Sequence, residues 1–118
     1  FNKPNLDLGN MWVNINGYKD FNTMHNHPDA LISGVYYINT PKKCGNIKFY
    51  HPSYELICYD WIDSTFKEFN NYTASNWWLP AEVGKLYLFP SWLKHVVEPN
   101  LNKKEKRISI SFNLSYES

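Results

Sequence analysis

At 118 residues the chain has the length of one domain with its own core and is too short for two. Its 43% apolar and 18% aromatic content with a net charge of +1 excludes intrinsic disorder and offers no broad basic surface for nucleic acid or anionic membrane. No apolar run approaches a membrane span, no signal-peptide pattern is present, and Cys44 and Cys58 fit neither a disulfide scaffold nor a zinc finger. Both are expected to be ordinary reduced thiols. The chain starts at Phe1 rather than methionine, so residues 1–118 are expected to be a single domain truncated at its N-terminus.

The residue types favour strand. Alanine is scarce, β-branched and aromatic residues are abundant, and asparagine supplies turns. Leu8 to Asn16 reads as a strand, with Met11, Val13 and Ile15 alternating against Asn10, Trp12 and Asn14. Phe21 to His27 is short and polar and is broken at Pro28-Asp29. Leu31 to Ile38 is a dense strand, Ile47 to Tyr50 a short one, and Tyr54 to Tyr59 a further candidate. Residues 60–82 have no clean period of either kind, and long irregular stretches in small domains are often functional. Lys85 to Phe89, His95 to Glu98 and Arg107 to Leu114 complete the set, with a charged loop from Asn100 to Lys106. About eight short, regularly spaced strands predict an all-β sandwich or jelly roll.

Three of the four histidines fall where a metal could use them. His25 and His27 are two apart, so on an extended segment both imidazoles project to one side. His95 begins a distant strand after a proline-containing turn. Two ligands from one strand and one from another give a metal three protein donors on one face, with open positions opposite. A lone histidine is more often a hydrogen-bonded surface residue, and His51 keeps that reading. A ligand at the start of a strand does not build the core, so loss of His95 is expected to spare the fold.

Arg107 is the second signal, because the other eleven basic residues are lysine. A guanidinium offers a planar fork that grips a carboxylate with two nitrogens, which lysine cannot do. Ser109 shares its strand face and can donate to the same anion. Ile108, Ile110 and Phe112 occupy the other face, which is expected to pack into the core. Tyr37, on one face with Ser33 and Val35, could add a phenol to this pocket or serve as a core residue.

The segments Asn14, His25-Asn-His27-Pro28, Ser33-Gly-Val-Tyr-Tyr37, Gly45-x-Ile47-x-Phe49, Phe89-Pro-Ser-Trp-Leu-Lys-His95 and Arg107-Ile-Ser-Ile-Ser-Phe-Asn113 together resemble the 2-oxoglutarate- and Fe(II)-dependent oxygenases, in particular a bacterial and phage branch. The resemblance spans nearly the whole chain. It implies a double-stranded β-helix (a cupin-like jelly roll), normally backed by flanking N-terminal helices that are expected to be missing here. It implies Fe(II) held by His25, His27 and His95. The superfamily's usual pattern is His-x-carboxylate with a distal histidine, and a pairing of His27 with Asp29 would restore it, with proline between them. It implies 2-oxoglutarate as cosubstrate, its far carboxylate reaching Arg107, Ser109 and Tyr37, and dioxygen as oxidant. The implied substrate is a small molecule or a protein side chain, in the cytoplasm or in a host cytoplasm for a viral chain. No membrane partner and no strong nucleic-acid signal is read, and oligomeric state is left open.

Two other readings remain. Gly84, Pro90, Trp92 and His95 approximate a second cupin motif, which would make this a metal protein of another activity. The glutamate expected after His27 is absent there, since Leu31 and Ile32 follow. A non-enzymatic jelly-roll binding or structural module would explain the fold and the aromatics, but neither the histidines nor Arg107.

Overall fold

The computed structural model describes residues 5–25, 29–52 and 76–116, the side chains of residues 23–25 excepted. Among the described residues all regular structure is strand: β1 (Leu6–Asn16), β2 (Asn22–His25), β3 (Ile32–Asn39), β4 (Asn46–Tyr50), β5 (Asn76–Pro80), β6 (Leu86–Pro90), β7 (His95–Val97) and β8 (Arg107–Tyr116). They pair antiparallel in two four-stranded sheets, ordered β1-β8-β3-β6 and β2-β7-β4-β5. Consecutive strands alternate between the sheets except at β4 and β5, which is the winding of a double-stranded β-helix. The all-β jelly-roll expectation holds.

Pro80 and Pro90 close β5 and β6, each at a sheet edge, where a residue without an N–H breaks no ladder on the open side. β5 lies inside the stretch that shows no period in the sequence. Its Asn-Trp-Trp-Leu-Pro carries tryptophan on both faces, which hides the alternation. Trp77 stacks on Phe49 at 6.1 Å, whereas half-exposed Trp78 receives the Lys48 ammonium at 5.0 Å. The candidate strand at 54–59 lies outside the described residues.

The core lies between the sheets. Val35 and Tyr37 of β3 and Phe89 of β6 form one cluster with Ile47 and Phe49 of β4 and with Leu93. Phe49 and Phe89 pack edge to face at 4.9 Å, the arrangement that ring quadrupoles favour.

The apolar face of β8 departs from expectation, whereas its Arg107 and Ser109 face lines the interior. Arg107, Ser109 and Asn113 point inward and are buried, while Ile108, Ile110 and Phe112 lie half-buried on the outside. That outer face continues through Met11, Val13 and Ile15 of β1 and Leu86 and Leu88 of β6, all exposed. The apolar stripe of β8 therefore does not enter the core. A cavity-lining strand reverses the ordinary polarity because its inner face must present hydrogen-bonding groups. Gly34 belongs to the same packing, for a Cβ there would come within 2.3 Å of the Phe112 ring.

Candidate active site

Cross-strand register assembles the inner face of the first sheet row by row. Asn16 stands opposite Arg107; Asn14, Ser109 and Tyr37 form the next row; Trp12, Ser111 and Val35 follow; Asn113, Ser33 and Phe89 come last. Side chains opposite one another across antiparallel strands are near neighbours. Ser33 Oγ donates to Asn113 Oδ1 at 2.8 Å. Asn14 Nδ2 donates to Ser111 Oγ at 2.7 Å and to Ser109 Oγ at 3.3 Å. These rows floor a cavity of about 480 Å³ between the sheets, which Arg107, Ser109, Tyr37 and His95 all line. That volume suits a small-molecule site.

Arg107 is 1% exposed, so it is no surface member of the basic loop before it. Nη1 donates to the main-chain carbonyls of Cys44 and Glu98, the latter at 2.8 Å. Nη2 is buried and is the one such side-chain nitrogen or oxygen without a hydrogen-bond partner among the described residues. The expected two-nitrogen fork is therefore divided: Nη1 is committed to the protein, and Nη2 remains for a ligand. Desolvation lowers the Arg107 pKa from its ordinary value, with Cys44 and Tyr37 opposing. Burial pushes the Tyr37 phenol up, with Arg107 opposing, so Tyr37 keeps its hydroxyl proton and can donate it. A buried guanidinium with an orphaned nitrogen is costly unless an anion completes it.

Gly45 builds the cradle for Nη1. Its φ is +87°, and an added Cβ would lie 2.7 Å from the carbonyl oxygens of Glu98 and Pro99. Gly45→Ala is expected to cost about 1–3 kcal/mol through the left-handed backbone and to push away the Glu98 carbonyl that fixes Arg107. Thermal unfolding, with anion binding measured below the transition, checks both effects.

The loop before Arg107 is pinned by Asn100, which is fully buried. Its Nδ2 donates to the Asn16 and Glu105 carbonyls, both at 3.0 Å, and its Oδ1 accepts from the Asn102 amide at 2.9 Å. The sequence shows only a charged loop here, and nothing distinguishes Asn100 from the other asparagines.

His95 is buried at the opposite side of the cavity, against Phe89 at 4.8 Å and Phe49 at 6.1 Å. Its Nδ1 lies 2.9 Å from the Leu93 carbonyl oxygen. A carbonyl only accepts, so Nδ1 carries the hydrogen in this contact, and Nε2 is the nitrogen that a metal would use on the neutral ring. On the neighbouring strand, His25 is the register partner of His95.

His27 lies outside the described residues. Asp29 is exposed on a turn and is not among the cavity-lining residues. Among the described residues no group of three His, Cys, Asp or Glu is gathered for a metal. What suits a metal with a dicarboxylate is His95, whose Nδ1 faces the Leu93 carbonyl, and the orphaned Arg107 Nη2, both lining the same cavity.

Residues 10–113 match the family described as "Putative 2OG-Fe(II) oxygenase". No curated protein matches the chain. Among solved structures, an oxidoreductase of the 2OG-Fe(II) oxygenase family from Burkholderia pseudomallei superposes with a TM-score of 0.71 at 13% identity, covering 97% of this chain and 47% of that one. A Pseudomonas putida prolyl-4-hydroxylase gives 0.61 at 16% identity, covering 92% of this chain and 51% of that one. The non-heme monooxygenase ThoJ in its apo form gives 0.62 at 12% identity, with coverages of 96% and 47%. The chain thus spans about half the length of these proteins, and the likeness establishes the shared fold. With the family matched over nearly all of its length, the chain belongs to the 2OG-Fe(II) oxygenases.

Proposed function

We propose that this domain is an Fe(II)- and 2-oxoglutarate-dependent oxygenase that couples decarboxylation of 2-oxoglutarate to oxidation of a second substrate. Family membership supports the class of reaction. The observation that carries it to this cavity is the unpartnered, buried Arg107 Nη2, because an anion there completes a group the fold leaves incomplete. His25 and His95, with His27 as third ligand, would hold the metal. Bound Fe(II) would supply the redox chemistry by which dioxygen, 2-oxoglutarate and a C–H substrate become succinate, carbon dioxide and an alcohol.

The protein's part is placement. Arg107 Nη2, with Ser109 and Tyr37, orients the far carboxylate, so the 2-oxo acid end extends toward His95. The buried walls formed by Val35, Ile47 and Phe89 exclude bulk water, which strengthens the Arg107–carboxylate interaction. Among the described residues no helix is long and apolar enough to cross a membrane. A reducing cytoplasmic setting suits ferrous iron and the free, buried thiol of Cys44.

The test is release of succinate and carbon dioxide from 2-oxoglutarate, with prolyl peptides and small metabolites as candidate substrates. Turnover that needs both Fe(II) and 2-oxoglutarate is expected. Metal-dependent turnover that ignores 2-oxoglutarate would move the protein to the cupin-like reading.

A further inference from the structure

The polar floor of the cavity contains a residue that the cosubstrate assignment does not use. Asn14 lies on β1, across from Ser109 in register. Its amide nitrogen donates one hydrogen to Ser109 Oγ at 3.3 Å and the other to Ser111 Oγ at 2.7 Å. A hydroxyl has one hydrogen and two lone pairs. By accepting from Asn14, Ser109 has a lone pair occupied and its own hydrogen left to give. Ser109 is 5% exposed and makes no other side-chain hydrogen bond among the described residues. Its hydrogen therefore has the cavity as its outlet, on the side where Arg107 Nη2 also lacks a partner.

We propose that Asn14 is a positioning residue that sets the Ser109 hydroxyl as a donor to the far carboxylate of 2-oxoglutarate. The inference rests on the cosubstrate reading above and extends it to a residue that need not touch the ligand. Asn14 donates to Ser109, Ser109 donates to the carboxylate, and the direction is fixed because both hydrogens of the amide are used. Such chains are strengthened by polarisation in a buried setting. Glycine or alanine at position 14 would let the hydroxyl rotate toward Ser111 or the main chain.

The experiment compares the affinities of Mn(II)-loaded protein for 2-oxoglutarate and for pyruvate, which has the same 2-oxo acid end but no far carboxylate. Wild type, Asn14→Ala, Ser109→Ala and the double variant are titrated by calorimetry. Asn14→Asp serves as a second substitution, retaining the shape while removing the N–H donor. Asn14→Ala is expected to weaken 2-oxoglutarate binding about fivefold to tenfold, the scale of one hydrogen bond to a charged group. Pyruvate binding should stay within about twofold. Adding Asn14→Ala to Ser109→Ala should cost less than about twofold more, since residues acting in series are not additive. Asn14→Asp should weaken 2-oxoglutarate at least as much as alanine does. Parallel losses for both ligands would reduce Asn14 to a structural role and overturn the proposal. So would losses that multiply in the double variant. A wild type that binds 2-oxoglutarate no better than pyruvate would instead bring down the cosubstrate reading itself, and the role of Asn14 with it.

Discussion

Arg107→Ala is expected to weaken 2-oxoglutarate binding by at least about thirtyfold. Truncating one partner of a buried charge pair costs roughly 2–5 kcal/mol, and each 1.4 kcal/mol is about tenfold. The burial of Arg107 and the absence of a partner for Nη2 place it in that class. Arg107→Lys should not rescue binding fully. A lysine has one nitrogen, whereas this site divides its two between the Cys44 and Glu98 carbonyls on one side and the cavity on the other. An intermediate loss is expected, and metal affinity without cosubstrate should be unchanged. Anaerobic calorimetry on the three proteins measures both constants. Equal 2-oxoglutarate affinities would remove Arg107 from the site.

Substitution of His95 should abolish metal binding, and here the structure changes the choice of variant. The sequence places His95 at the start of a strand, where its loss should spare the fold. Instead the imidazole is 3% exposed and wedged against Phe89 and Phe49. Alanine would leave a cavity and cost about 1–3 kcal/mol in its own right. His95→Gln keeps more of the volume and is the cleaner test. Metal content after equilibrium dialysis should fall at least about a hundredfold in affinity, as loss of a ligand exceeds the 10–100-fold cost of losing an outer-shell partner. Wild-type metal content in a folded His95→Gln protein would remove iron from the account.

Much of this architecture is legible in the sequence because strands write a period of two. Arg107 and Ser109 share a face, Ser33, Val35 and Tyr37 share another, as their spacing implies, and both sets are buried. What spacing does not carry is which face turns inward. In β8 the apolar face looks like the core, yet the cavity requires the polar one. β1 follows, with Trp12 and Asn14 inside and Met11, Val13 and Ile15 outside. Long-range relations are equally silent. The pairing of His25 with His95, the capture of Arg107 Nη1 by two carbonyls, and the anchoring of the last loop by Asn100 depend on residues that meet only after folding. β5 was obscured for a local reason, tryptophan on both of its faces.

One cavity is expected to hold a metal at its histidine side and a dicarboxylate at its arginine side. A crystal structure of the protein with Mn(II) and 2-oxoglutarate, grown without oxygen, tests it most directly. Metal bound by His25 and His95 is expected, with ring nitrogens at about 2.0–2.3 Å by analogy with other imidazole sites. The far carboxylate should lie within hydrogen-bond reach of Arg107 Nη2 and Ser109 Oγ. Metal bound away from His95, or 2-oxoglutarate that leaves Arg107 Nη2 without a partner, would contradict it.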